Sequence, residues 1–165
     1  DTLRRKLDNI ILIGMPGSGK TTLARLLAKD LGRECLDCDE EFLRRTGVTS
    51  ENFLINQGET AFRQTETEIL RDLGKRWGTV LSTGGGCVTR PENRALLRQN
   101  GRVLWLQRDP DKLALSGRPL LRNTTPRALY EARKELYADF CDEVASNNAD
   151  PARGLAQIKE ILEKS

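Results

Sequence analysis

The run Gly14-Met15-Pro16-Gly17-Ser18-Gly19-Lys20-Thr21 constrains this chain more than any other stretch, because it fits G-x-x-x-x-G-K-[ST] at every fixed position. An apolar strand, Ile10 to Ile13, leads into it, and a helix from Thr22 to Leu31 leads out. Gly17, Ser18, Gly19 and the residues that follow can turn successive N–H groups around an anion at the positive end of that helix. In this pattern Lys20 reaches the β- and γ-phosphates and the Thr21 hydroxyl ligates Mg²⁺, with Thr22 completing the cradle. A nucleoside triphosphate is the implied ligand.

The 165 residues are expected to form one domain, large enough to bury a core. Twenty-seven basic and 24 acidic side chains leave a net charge of +3, which gives no polycationic face and no reason to expect nucleic acid as a partner. No apolar run approaches the roughly 20 residues of a membrane span, so no membrane partner is expected. The polar opening, Asp1 to Asp8, does not read as a signal peptide, and a start at Asp1 rather than Met suits a trimmed or excised segment.

Cys35 and Cys38 form a C-x-x-C, which reads as part of a strand rather than the helix start a redox motif needs. With no histidine and no second cysteine pair, a zinc site cannot be completed. The cysteines are expected to be reduced thiols in a cytoplasmic protein. The absence of histidine also excludes Ser-His-Asp and Cys-His mechanisms. Chemistry must run on Lys, Arg, Asp, Glu, Mg²⁺ and backbone amides.

Strands and helices alternate, which predicts an α/β three-layer sandwich around a five-stranded parallel sheet. The expected strands are Ile10 to Ile13, Cys35 to Cys38, Thr79 to Ser82, Val103 to Leu106 and Glu143 to Ser146. Leu23, Leu27 and Leu31, with Leu26 alongside, should stripe the first helix up to Gly32. Helices are expected over Glu40 to Thr46, from Ser50, over Glu59 to Leu73, from Pro91 to a stop at Gly101, and over Ala152 to Lys164. A polar, basic loop over 117–126 ends in Thr125 and Pro126, the N-cap and first turn of a further helix.

Ligands of such sheets lie beyond the carboxyl ends of the strands. There stand Asp37 and Asp39, which alternation along an extended chain would point to one side. One can hold Mg²⁺ through its water shell while the other faces an acceptor hydroxyl. Gly84-Gly85-Gly86 is entropically costly and implies that another group lies against the backbone. Arg133 shares a helical face with Leu129, Leu136 and Phe140, and Arg63 follows Phe62 within reach of Glu59 and Glu66. Two arginines on stripes that should be apolar suggest a clamp for a carboxylate. A GTPase is disfavoured because no aspartate has a glycine three positions later, and Asn147 to Asp150 is only faintly like N-K-x-D. Gln107-Arg108-Asp109 after the fourth strand lacks the acidic pair of a motor ATPase. A small-molecule kinase with a mobile lid remains.

From Asn9 onward the chain closely resembles shikimate kinase, a P-loop kinase of the nucleoside-monophosphate-kinase type. The resemblance is carried by G-M-P-G-S-G-K-T (14–21), L-D-C-D (36–39), G-E-T-A-F-R-Q-T-E (58–66), T-G-G-G (83–86), R-P-L-L (118–121) and R-K-E-L-Y (133–137). It implies MgATP-dependent phosphorylation of the shikimate 3-hydroxyl in aromatic amino-acid biosynthesis, by a monomer. By that resemblance Asp37 supports the metal through water, while Asp39 binds shikimate hydroxyls and accepts the 3-hydroxyl proton. Arg63, oriented by Glu66, and Arg133 grip the carboxylate. Gly84, Gly85 and Gly86 present backbone to the ring, and Phe53 and Phe62 line the pocket. Arg118 closes onto the transferring phosphoryl group from the lid, about 117–126, and the substrate-binding helices span about 39–73. The family's arginines before the lid are absent from Leu113-Ala114-Leu115-Ser116, and the basic residue after the last strand is replaced near Asn148 and Ala149. Adenine is therefore expected to rest on Leu115, Pro151 and backbone. A gluconate-type kinase and a non-catalytic ligand-binding paralogue are the alternatives.

Overall fold

The structure, a computed structural model, describes residues 7–113 and 124–164. Five parallel strands order as β2-β3-β1-β4-β5: β1 (Asn9–Ile13), β2 (Glu34–Asp37), β3 (Thr79–Ser82), β4 (Gly101–Gln107) and β5 (Glu143–Ser146). Seven helices of the described residues cover it: α1 (Lys20–Leu31), α2 (Cys38–Thr46), α3 (Ser50–Gln57), α4 (Glu59–Leu73), α5 (Glu92–Arg98), α6 (Pro126–Phe140) and α7 (Pro151–Lys164).

The central strand shows why both faces are covered. Ile11 and Ile13 join a core with Phe62 and Leu70 of α4, Leu97 of α5 and Tyr137 of α6. Ile10 and Leu12 point the other way, into a core with Leu23 and Leu27 of α1 and Ile158 of α7. A strand apolar on both faces must lie inside a three-layer fold, as the unbroken run of β1 predicts. The helix after β1 therefore packs on one face, and those after β3 and β4 on the other. The connections part at the carboxyl end of β1, where an open α/β sheet offers its crevice.

Several local expectations are corrected. The buried stripe of α1 is Leu23, Ala24, Leu27 and Ala28, while Leu26 and Leu31 at its edge and end are exposed. Strand β2 ends at Asp37 because the Asp37 carboxylate accepts from the amides of Asp39 and Glu40 and so caps α2, which places Cys38 on the helix. Helix α5 ends at Arg98, and Gly101 opens β4 instead of closing that helix, with its Cα held close to the Leu97 carbonyl and the Ile11 side chain. Leu136 is exposed; Arg133 shares its buried face with Tyr137 and Phe140. Thr125 caps α6 as expected, its hydroxyl accepting from Ala128 N at 3.1 Å.

On α2, Glu41 accepts from Arg44 Nε at 3.0 Å and Arg45 Nε at 2.8 Å, and Arg45 also reaches Asp72 of α4 at 2.6 Å. The hydrogen bond from Arg44 is the main cause that holds the Glu41 carboxyl down at about 2. A carboxyl depressed in the folded state adds stability above its unfolded pKa, near 4.5, and loses it as pH falls towards 2. Glu41→Gln should therefore lower the urea midpoint at pH 6 and differ less from the parent at pH 3. A gap that stays constant with pH would show that the ion pairs are not its source.

Candidate active site

At the end of β1 the chain turns through Gly17 (φ 82°) and Gly19 (φ 93°), in the left-handed region where a side chain would be strained. Gly19 caps α1 with no side-chain hydrogen bond, so the first amides of the helix face outward. The buried Lys20 reaches back across the loop, and its Nζ donates to the carbonyls of Gly14 at 2.8 Å and Met15 at 2.9 Å. Asn147, just past β5, braces the loop from behind. Its Nδ2 donates to Ser18 O at 2.8 Å, and its amide is wedged against Gly19 and Gly154, where a Cβ would stand 2.5 and 2.6 Å away.

The Thr21 hydroxyl donates to Asp37 Oδ2 at 2.9 Å and lies 3.3 Å from the Ser82 hydroxyl. Among the described residues no three His, Cys, Asp or Glu side chains converge as a metal cluster. A hydroxyl beside one carboxylate instead suits a hard cation that keeps waters and phosphate oxygens, as Mg²⁺ does. Asp39 stands on the first turn of α2, not on an extended strand, so alternation is not what aims it. Its Oδ1 accepts from the Ser50 hydroxyl at 3.1 Å, and it lines a cavity of about 240 Å³ with Lys20, Thr21, Thr22, Thr83 and Gly84.

Both expected arginines are buried, at 6% exposure for Arg63 and 5% for Arg133. Arg63 Nη1 donates to Glu66 Oε1 at 3.0 Å, and its guanidinium lies 4.9 Å from the centre of the Phe62 ring. Its Nε, 3.6 Å from Glu59, makes no hydrogen bond, and neither does Nη1 of Arg133. Both guanidiniums act electrostatically on Glu66 and on Tyr137, so α4 and α6 bring them together. Burial nonetheless pushes the Glu66 carboxyl above its ordinary value, against the pull of Arg63. Buried N–H groups on two cations, with one buried carboxylate between them, form a site that favours an anion. Beside it Phe42 packs edge-on against Phe53 at 5.0 Å and tilted against Phe62 at 5.2 Å.

Each of the three glycines has a neighbour pressed on its backbone. A Cβ would stand 2.7 Å from Glu66 at Gly84, 2.6 Å from the Pro16 ring at Gly85, and 2.1 Å from the Arg63 guanidinium at Gly86. The groups against the backbone are thus two side chains of the anion site and one of the phosphate loop. Pro151 opens α7 at an exposed position and does not line the cavity. Arg118 and Leu115 lie outside the described residues.

Sequence reasoning missed Tyr137, whose hydroxyl donates to Gly85 O at 2.6 Å, and the brace formed by Asn147. The first had a usable signal, since Tyr137 stands four residues after Arg133 on the same helical face. All four cysteines are free. Cys38 begins a helix, yet burial lifts its thiol well above the ordinary value, and burial pushes Cys87 up to about 12. These two thiols are not nucleophiles.

A family model described as shikimate kinase matches residues 16–164. A shikimate kinase of Acinetobacter baylyi is 44% identical over 161 residues, spanning 92% of this chain and 89% of the relative. One from Burkholderia lata is 39% identical over 159 residues, 91% of this chain and 86% of the relative. The solved structure of shikimate kinase from Acinetobacter baumannii in complex with shikimate superposes with a TM-score of 0.89 at 38% identity, covering 99% of this chain and 98% of that one.

The Asn147 brace has a measurable consequence. Asn147→Ala removes a buried hydrogen bond to the phosphate loop, worth about 0.5–1.5 kcal/mol, so ADP should bind roughly 2- to 10-fold more weakly. Calorimetric titration with ADP measures this directly, and an unchanged affinity would confine Asn147 to packing.

Proposed function

The chain belongs to the shikimate kinase family, and from that premise we propose that it transfers the γ-phosphoryl group of ATP to the 3-hydroxyl of shikimate, releasing ADP. The observation that carries the reading is the pair of buried guanidiniums, Arg63 and Arg133, with hydrogen-bonding capacity left over beside a phosphate loop. A hydroxy acid satisfies it, and a neutral sugar would leave it unmet. The relative solved in complex with shikimate supports the same acceptor.

Lys20 and the amides of Gly17 to Thr21 hold the phosphates, and the Thr21 hydroxyl with the Asp37 carboxylate holds hydrated Mg²⁺. The ion, when bound, neutralises charge on the phosphate oxygens. Arg63 and Arg133 grip the shikimate carboxylate, with Glu66 fixing Arg63. Gly84, Gly85 and Gly86, with Phe53 and Phe62, seat the ring. The carboxylate of Asp39 binds the acceptor and takes the 3-hydroxyl proton as that oxygen bonds to the γ-phosphorus. The bond from phosphorus to the β–γ bridging oxygen breaks, and the electron pair leaves with ADP. Arg118, carried by the lid of about 117–126, stabilises the charge on the group in flight, and Pro151 flanks the adenine. In this reading the chain is a single kinase domain whose helices over about 39–73 form the acceptor half. The four free thiols suit a reducing cytoplasm, and the chain is taken to act as a monomer. No helix of the described residues is long and apolar enough to cross a membrane.

ADP release measured across a panel of hydroxy acids tests the reading: shikimate should be turned over and gluconate should not. Preference for another acid, or no turnover at all, would sink it. Arg133→Ala should weaken shikimate binding by about 2–5 kcal/mol while leaving ATP affinity near that of the parent, because a buried charge-assisted contact is lost. Equal loss for both ligands would point to disrupted folding instead. Asp39→Asn, which keeps size but removes the proton acceptor, should lower kcat by about 10²-fold or more. Near-normal turnover would limit Asp39 to binding.

A further inference from the structure

One fully buried polar side chain at this site has no part in the chemistry above. The Tyr137 hydroxyl donates to Gly85 O at 2.6 Å, across 52 residues of sequence. Its ring stacks on Trp105 of β4 at 5.6 Å and 26°. Trp105 in turn pairs with Ile13, the last residue of β1 before the phosphate loop. Pro16 of that loop also lies against Gly85, so close that a Cβ on Gly85 would stand 2.6 Å from its Cδ and 3.0 Å from its N. Gly85 is thus held at its carbonyl by a phenol and seated at its Cα against the phosphate loop.

We propose that Tyr137 is a positioning residue, which anchors the acceptor seat at Gly84–Gly86 beside Pro16 and so sets the distance between the acceptor hydroxyl and the phosphoryl group. The inference rests on the phosphoryl-transfer reading above. Three features distinguish this role from core packing. Packing needs only the ring, which Trp105 and the surrounding core hold, whereas the hydroxyl donates to the Gly85 carbonyl and also hydrogen-bonds with the Arg133 side chain. That carbonyl belongs to the middle glycine of the seat, and the contact it enforces is with the loop that holds the other substrate. Arg133, one turn earlier on α6, acts electrostatically on the same phenol, so one helix supplies the carboxylate grip and fixes the seat beneath it. Burial also pushes the phenol further above its ordinary value, so it remains a donor across the working pH range.

Misplacement of reacting atoms by about 1 Å can cost on the order of 10²-fold in rate, and the Tyr137 hydroxyl acts on the ligands through Gly85 and Arg133. Tyr137→Phe keeps the ring and removes the donor. With shikimate and ATP each varied, its kcat should fall about tenfold while both KM values stay within about threefold of the parent. Gly85→Ala, whose Cβ pushes the seat off Pro16, should lower kcat in the same way. Adding Pro16→Ala to it should restore part of the loss, because the ring atoms nearest the new Cβ are then gone. An unchanged kcat in Tyr137→Phe overturns the proposal. So does a lowered melting temperature with kcat intact, or a loss confined to the KM for shikimate. If the parent enzyme phosphorylates a different hydroxy acid, the functional reading falls, and the same kcat comparison with that acid decides the role of Tyr137.

Discussion

Burying two guanidiniums beside a single buried carboxylate is the constraint on which the acceptor half of this molecule depends. Each buried charge loses several kcal/mol of hydration, and Glu66 can compensate only in part. Its own carboxyl is pushed upward by burial although Arg63 donates to it at 3.0 Å, so desolvation outweighs attraction even at hydrogen-bond distance. The Arg63, Glu66 and Arg133 cluster keeps an excess of one positive charge and unused N–H groups. The arrangement favours an anionic ligand before any shape matching begins, and a small carboxylic acid fits that demand with two bidentate donors.

The same cluster explains the triple glycine better than a need for loop flexibility does. Gly84 and Gly86 lack side chains because Glu66 and Arg63 occupy the space a Cβ would need, and Gly85 lacks one because of Pro16. Three consecutive glycines are thus three separate steric requirements, set by elements distant in sequence. The segment is then immobilised from several directions. Thr83 donates to Leu12 O through both its amide and its hydroxyl, Tyr137 holds Gly85, and Asn93 holds the Cys87 carbonyl at 2.8 Å. The conformational freedom glycine brings to the unfolded chain is removed by these bonds, at an entropic cost, in exchange for a backbone that a ligand can approach closely.

How much of this was legible in the sequence follows from the range of the interactions. Strands β3 and β5 and helix α4 begin and end where their turn residues and apolar periods predict, because those signals are local. The phosphate loop and the two arginines were legible for the same reason: a fixed spacing, and a charge on a stripe that should be apolar. Asp39 was identified by the wrong geometry. The capping carboxylate of Asp37 turns the chain into a helix one residue before Asp39, so the helix rather than the pleat directs its side chain. Tyr137 and Asn147 carry their weight through hydrogen bonds spanning 52 and 129 residues, and no local pattern encodes a partner at such a distance. Arg118, whose assignment rests on the resemblance alone, lies outside the described residues.

The sheet divides the work between its faces. α1 and α7 pack on the face of Ile10 and Leu12, and from that side come Lys20 and Thr21, the residues proposed for the phosphates. α4 and α6 pack on the face of Ile11 and Ile13, and from that side come Arg63 and Arg133. β1, β3 and β4 each place side chains in both cores, and the carboxyl end of the central strand β1 lies between the two groups of site residues. Relative motion between them is resisted by the contacts that cross that end, among them Thr83 on Leu12 O, Thr21 on Asp37 and Gly85 on Pro16. Phosphoryl transfer is chiefly a problem of placing two oxygens in line with one phosphorus. In the proposed reading a central strand with one half-site on each face, and a glycine seated against the loop between them, meets that need without a histidine anywhere in the chain.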